Sequence, residues 1–151
     1  MEEVNNNLQK ISDFSRVISR NSVEQFRNNT TKSMFEIAKR LNVNYIVEGS
    51  GQKYGNKFVL RVQLIVANNE KHLWGKSYDR EIQETSDIIG IQSEIAQAIA
   101  AELKSIITPE EKQLINKIPT TNLTAYDFYK QGREEYAKCR CKKPKIYIIK
   151  H

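Results

Sequence analysis

Histidine is nearly missing from this sequence, with only His72 and His151 in 151 residues. His72 falls in a strand-like run and His151 is terminal, so neither a Ser-His-Asp arrangement nor a His-x-x-x-His metal helix can be assembled. Cysteine is as scarce. Cys139 and Cys141 stand as Cys-Arg-Cys near the C-terminus, without the two-residue gap and further ligands of a zinc site, and two neighbouring thiols cannot staple a domain. Ordinary free thiols are expected. No apolar run approaches the roughly 18 to 20 residues of a membrane helix. The opening MEEVNNNLQK has neither the basic nor the apolar region of a signal peptide. A soluble chain is expected, cytoplasmic by default. Glycine forms no phosphate cradle, because Gly49-Ser50-Gly51 lacks the Lys-Ser/Thr and the following helix that such a loop requires. Carboxylate pairs at Glu110-Glu111 and Glu134-Glu135 fit helix starts or solvated faces. The expectation is no catalytic residue, no metal ligand and no cofactor, hence no enzyme.

A net excess of either charge is also absent from most of the chain. The 24 Lys and Arg residues exceed the 18 Asp and Glu by six. Residues 138–151 carry Lys138, Arg140, Lys142, Lys143, Lys145 and Lys150 with no acid, leaving 24 − 6 = 18 basic against 18 acidic residues in 1–137. A neutral body with a basic tail argues against specific nucleic-acid recognition, which needs basic side chains spread over a folded face. The alternative function that this charge allows is weak nucleic-acid or anionic-surface binding through the tail.

What is present is a clear α/β alternation. A partial helical pattern at Val4, Leu8 and Ile11 precedes a strand at Arg16–Arg20, and loop-forming residues occur at Asn21, Ser22, Asn28, Asn29 and Thr30. Met34, Ile37, Ala38 and Leu41 form the stripe of a short amphipathic helix. Between Asn44 and Glu81 three extended runs are separated by Tyr54-Gly55-Asn56 and Asn68-Asn69-Glu70, which predicts an antiparallel meander. Its central run places Phe58, Leu60, Val62, Leu64 and Val66 on one face. Trp74 and Tyr78 share a face of the third run and are expected to cover the sheet or seat the next helix. That helix carries Ile88, Ile91, Ile95, Ile99, Leu103 and Ile106, with Ala96, Ala98 and Ala100 permitting close approach. Thr108-Pro109-Glu110-Glu111 is a capping box with proline at the first helical position. A last helix follows Asn122 and carries Tyr126, Tyr129, Gly132, Arg133 and Tyr136. Val62, Leu64, Trp74, Ile91 and Ile95 are expected in the core.

The words YIVEGS, HLWGKSYDRE, IQSEIA and TPEEK, within a collinear run over about residues 8–136, resemble the TolB-like (FlgO-like) N-terminal domain. That domain accompanies adenylate/guanylate cyclase, DNA-binding and tetratricopeptide-repeat domains in bacterial regulators. The resemblance implies an α/β fold in which a mixed sheet, ending in the three-strand meander, has helices on its faces and further helices after it. It also implies no catalytic residues and a role as a protein-interaction or sensory module. The corresponding organisation is a TolB-like domain at 1–107, a helical extension leading into a tetratricopeptide-type helix at 108–137, and a basic tail at 138–151. Relative to the family pattern, an opening strand of the IAVLPF type is missing, Ser15 resembles a one-residue insertion, and the tail does not continue into a second repeat helix. Truncation or a shifted reading frame is the expectation from those departures. An unpaired strand edge is then expected beside Arg16, Val17 and Ile18, open to self-association or to a protein partner. The candidate interaction surface comprises Arg16, Val17, Ile18, Trp74, Tyr78, Tyr126 and Tyr129, with tetratricopeptide repeats of the parent protein as further partners.

Overall fold

The computed structural model describes residues 2–19, 22–23, 26, 33–118, 120–137 and 145–150, with the backbone alone at residues 2, 133–137 and 145–150. In chain order the elements are α1 (Glu2–Leu8), β1 (Arg16–Ile18), α2 (Met34–Leu41), β2 (Tyr45–Tyr54), β3 (Lys57–Val66), β4 (Lys71–Glu81), α3 (Thr85–Glu102), α4 (Pro109–Asn116), α5 (Leu123–Ala137) and β5 (Lys145–Lys150). Asn21, Asn28, Asn29, Thr30, Cys139, Cys141 and His151 lie outside the described residues.

The meander forms because long β-prone runs meet turn residues that reverse them. β2 pairs with β3 from Tyr45↔Val66 to Tyr54↔Lys57, and Gly55 turns the chain at φ 58°, a conformation that glycine adopts without steric cost. β3 pairs with β4 from Lys57↔Glu81 to Val66↔Lys71, with a register break after Leu64. Leu64 faces Trp74 and Ile65 faces His72, so Leu73 is the extra residue of a bulge. That bulge lets two consecutive side chains, Leu73 and Trp74, pack against the same core. Val62, Leu64, Ile91 and Ile95 are buried as their spacing predicts, whereas Trp74 is only half-buried at the margin.

Each face of the sheet has its own core, as alternation along a strand requires. On one face Val47, Leu60, Val62, Leu64 and Tyr78 meet α1 through Val4 and Leu8, and α3 through Ile91, Ile95 and Ile99. Ala96 and Ala100 of α3 are fully buried in this cluster. On the other face Ile18, Ile46 and Ile65 meet Ile37, Ala38 and Leu41 of α2. Ser33 starts α2 with a capping box, its hydroxyl accepting from the Glu36 N–H while the Glu36 carboxylate accepts from the Ser33 N–H. Ile106, placed on the α3 stripe by spacing, is instead exposed, because α3 ends at Glu102 and Lys104 turns the chain at φ 56°.

The strand order is β1-β5-β2-β3-β4, and each neighbouring pair is antiparallel. β1 and β2 therefore run parallel to each other with β5 between them. β5 thus fills one side of β1, while β1 itself remains the outermost strand of the order. Val17 pairs with Ile149 and Ile18 with Ile148 on one side of β5, while Ile46 pairs with Ile148 and Val47 with Tyr147 on the other. The last part of the basic tail is thus a strand, since Lys-Ile-Tyr-Ile-Ile-Lys is rich in β-branched and aromatic residues. The unpaired backbone groups of β1 and β2 supply the partners it needs.

Hydrogen bonds fasten the helices to one another. Buried Asn5 of α1 donates to the Ile18 carbonyl at 2.9 Å, fixing α1 against β1. The Glu111 carboxylate of α4 accepts from the N–H groups of Thr108 and Ser12, both at 2.9 Å, and Thr108 Oγ1 accepts from the Glu111 N–H at 3.2 Å. Thr108→Ala is expected to lower stability by about 0.5–2 kcal/mol in denaturant titrations through loss of that cap. The hydrogen bonds from Ser12 and Thr108 hold the Glu111 carboxyl below the usual glutamate range. A depressed folded pKa means that the unfolded chain binds the proton first, so this stability is complete above the ordinary glutamate value. It is lost as pH falls from there through the lowered folded value. Acid unfolding monitored by circular dichroism should be shallower over that window in Glu111→Gln than in the parent chain.

Candidate functional site

Four helices from distant parts of the sequence converge on a cleft of about 650 Å³. α1 contributes Glu3, Asn6 and Asn7, followed at once by Lys10; α3 contributes Ile89 and Gln92; α4 contributes Leu114 and Ile115; and α5 contributes Tyr126 and Tyr129. Lys117 and Thr120 complete it from the connection between α4 and α5. Each helix turns this way for a local reason. Val4, Leu8 and Ile11 commit one side of the α1 segment to the core, which leaves Asn6, Asn7 and Lys10 along its flank. Ile115 is anchored in the same core, bringing the end of α4 over α3, where Ser93 Oγ donates to Asn116 Oδ1. Asn122 begins α5 by accepting the Ala125 N–H at 3.0 Å, which directs Tyr126 inward.

The floor of the cleft is apolar and aromatic, with Ile89, Ile115 and Tyr126 buried. Gln92 is buried beside them and donates to the Tyr126 hydroxyl at 3.3 Å. Lys10 Nζ donates to Asn7 Oδ1 at 2.9 Å and to the Leu114 carbonyl at 3.0 Å, linking α1 to α4. Burial of the Lys10 amine lowers its pKa from the ordinary lysine value, the Glu3 carboxylate acts against that, and the Lys117 charge adds to it. Lys130 Nζ lies 5.8 Å from the centre of the Tyr126 ring, a cation–π distance.

The seven residues expected to form one interaction surface are split among three places. Arg16, Val17 and Ile18 lie on β1, where Arg16 is exposed, Val17 packs against the first core and Ile18 is buried in the second. Trp74 and Tyr78 are on β4 beneath α3, with Tyr78 only 2% exposed. Tyr126 and Tyr129 are brought together in the cleft, the first buried and the second half exposed. Asn7, Lys10 and Gln92 were not singled out by spacing. The signal available for them was the run Asn5-Asn6-Asn7 within a helical stripe, since asparagine is a poor interior helix residue and its placement there has to be repaid by side-chain bonding.

Tyr78 illustrates the structural role of the β4 aromatics. Its ring is covered by Lys76, whose Nζ lies 4.9 Å from the centroid and 2.7 Å from Glu94 Oε1 of α3. Among the described residues its hydroxyl has no hydrogen-bond partner. Burial, reinforced by the nearby Glu94 carboxylate, pushes its pKa up to about 12. A stranded buried hydroxyl costs about 1–3 kcal/mol, so Tyr78→Phe is expected to melt at the same temperature as the parent chain or higher. A marked loss of stability would show that the hydroxyl has a partner.

Among the described residues no cluster of three or more His, Cys, Asp or Glu side chains is placed to hold a metal ion. No described helix is long and apolar enough to cross a membrane.

The chain is similar to the protein described as "Putative adenylate cyclase 3" of Rhizobium meliloti (strain 1021), with 28% identity over 133 residues. The matched region is 88% of this chain and 22% of the relative. The chain thus spans about a fifth of the relative's length. No family model matches, and no solved structure matches significantly.

Proposed function

We propose that this chain is a non-catalytic interaction and sensory module of a bacterial multidomain signalling protein, of the TolB-like type that stands beside tetratricopeptide repeats and a cyclase or other output. The observation that carries this reading is the match to a cyclase-named protein across most of this chain but only 22% of the relative. Such a proportion suits one module of a larger protein whose output chemistry lies elsewhere in its length. The cleft suits the same role, because α1, α3, α4 and α5 all line it. An event there would be felt by α5, the element that precedes β5 of the sheet in the chain. The tail as a free basic arm receives less support, since the backbone of Lys145–Lys150 is paired on both sides within the sheet.

The test is an exchange. The matched segment of the Rhizobium protein is replaced either by this chain or by a flexible linker of the same length, and cyclic AMP synthesis is compared with that of the unaltered relative. The module reading expects the linker version to lose control of its output and the chimera to regain it, while the isolated 151-residue chain converts no ATP. Cyclic AMP formation by the isolated chain would refute the non-catalytic role. Identical regulation in the relative, the linker version and the chimera would refute the regulatory one.

A further inference from the structure

The cleft between the four helices combines three properties that a merely structural groove has no reason to share. First, it contains two ammonium groups, Lys10 and Lys117, near enough for the charge of Lys117 to act on Lys10. Among the described residues neither forms a salt bridge with a carboxylate, and the acceptors that Lys10 does have, Asn7 Oδ1 and the Leu114 carbonyl, are neutral. An ammonium group has three donors, so one N–H of Lys10 remains after these two bonds. Second, the polar groups beneath are already fixed: Asn7 and Gln92 are buried, and Gln92 is held on the Tyr126 hydroxyl. Third, the floor of Ile89, Ile115 and Tyr126 is apolar, and the volume of about 650 Å³ falls within the range of small-molecule sites. One carboxylate, Glu3, also lines the cleft, where it accepts from Asn6 Nδ2 at 3.2 Å and its charge acts on Lys10 ahead of that of Lys117.

We infer that this cleft binds a small organic carboxylate, with the acid group between Lys10 and Lys117 and an aromatic or apolar body on Ile89, Ile115 and Tyr126. A carboxylate would accept the remaining Lys10 donor in a charge-assisted bond and relieve the mutual repulsion of the two lysines. The low ambient polarity of the floor strengthens that contact relative to water. The lowered proton affinity of Lys10 has the same origin, since its charge is partly desolvated without an anionic partner in contact. The ligand would touch α1, α4 and α5 at once. Its binding would therefore restrict α5 against the rest of the molecule, which deepens the sensory part of the proposed function and rests on it for that consequence alone.

Benzoate and benzamide provide the test, being nearly identical in shape and differing in charge. Each is titrated into the full 151-residue chain and followed by amide chemical shifts. Benzoate is expected to perturb Asn7, Lys10, Gln92 and Tyr126 and to bind at least about tenfold more tightly than benzamide, the size of effect typical of a hydrogen bond to a charged group. Lys117→Met, a change at an exposed position, should remove most of that preference without altering the melting temperature. Lys10→Met should do the same where the variant remains folded. Equal binding of the two compounds, an undiminished preference in Lys117→Met, or no shift at these residues at about 10 mM benzoate would each overturn the inference. Those outcomes leave the domain-exchange experiment unaffected, so failure of the ligand class and failure of the module reading are distinguishable.

Discussion

Leu64→Ala is expected to destabilise the protein by about 2–5 kcal/mol, the cost of deleting a large aliphatic side chain from a site that cannot collapse around the gap. Leu64 is completely buried. It sits opposite Val47 of β2 and Trp74 of β4, in the cluster that also receives Ile91, Ile95 and Ile99 of α3. Its surroundings are held on three sides, by two strand ladders and a helix, so relaxation into the cavity is limited. Denaturant titration reads the loss as a lower midpoint at unchanged slope. Val59→Ala, a half-buried position, serves as the comparison. If Leu64→Ala and Val59→Ala cost the same, the bulge after Leu64 does not set the faces as described.

Ile148→Pro is expected to have an effect of comparable size for a different reason. Ile148 is in the middle of β5 and is paired on both sides, with Ile18 of β1 and Ile46 of β2. Proline has no N–H and is confined to edges or bulges in natural sheets. The substitution would strand at least one acceptor in a region where Ile46 is fully buried, at about 1–3 kcal/mol for each such group. It would also release β1 from its neighbour in the ladder and open the Tyr45–Gly49 side of β2. Native stabilities are only about 5–15 kcal/mol in total, and a newly open edge templates association between chains. A lower melting temperature and a heavier species in sedimentation velocity are the expected results. Ile148→Val keeps the N–H and the β preference and should behave as the parent chain does. If the proline variant matched the valine variant, β5 would not belong to the ladder.

The elements that were legible in the sequence are those whose signal is local. The meander announced itself through alternation in Phe58–Val66 and the turn residues at Gly55 and Asn68–Asn69, and α4 through the Thr108–Glu111 box. What was not legible depends on pairings between distant segments. In the tail, six basic side chains obscured the run Ile146-Tyr147-Ile148-Ile149, whose strand character becomes clear only when a two-sided slot is available to it. The bulge at Leu73 was hidden because alternation looks the same with or without one extra residue until the partner strand is in place. For the cleft, the Tyr126 and Tyr129 pair was visible as a helical spacing, but Lys10 and Leu114 are 104 positions apart. Nothing in either neighbourhood indicates that the amine of one meets the carbonyl of the other.

The position of β5 also orders events in time. β1 finds its neighbour only when Arg16 meets Lys150 and Ile18 meets Ile148, whereas β2, β3, β4 and α3 are consecutive. Contacts between distant residues carry the larger loop-closure cost and form late. As the chain emerges from synthesis, the meander with α3 can therefore assemble first, while β1 waits beside an empty lane in the sheet. During that interval the edge of β2 is at its most vulnerable to another chain. Folding yield is then expected to fall as the concentration of newly made chains rises, even at temperatures well below the melting point of the finished protein.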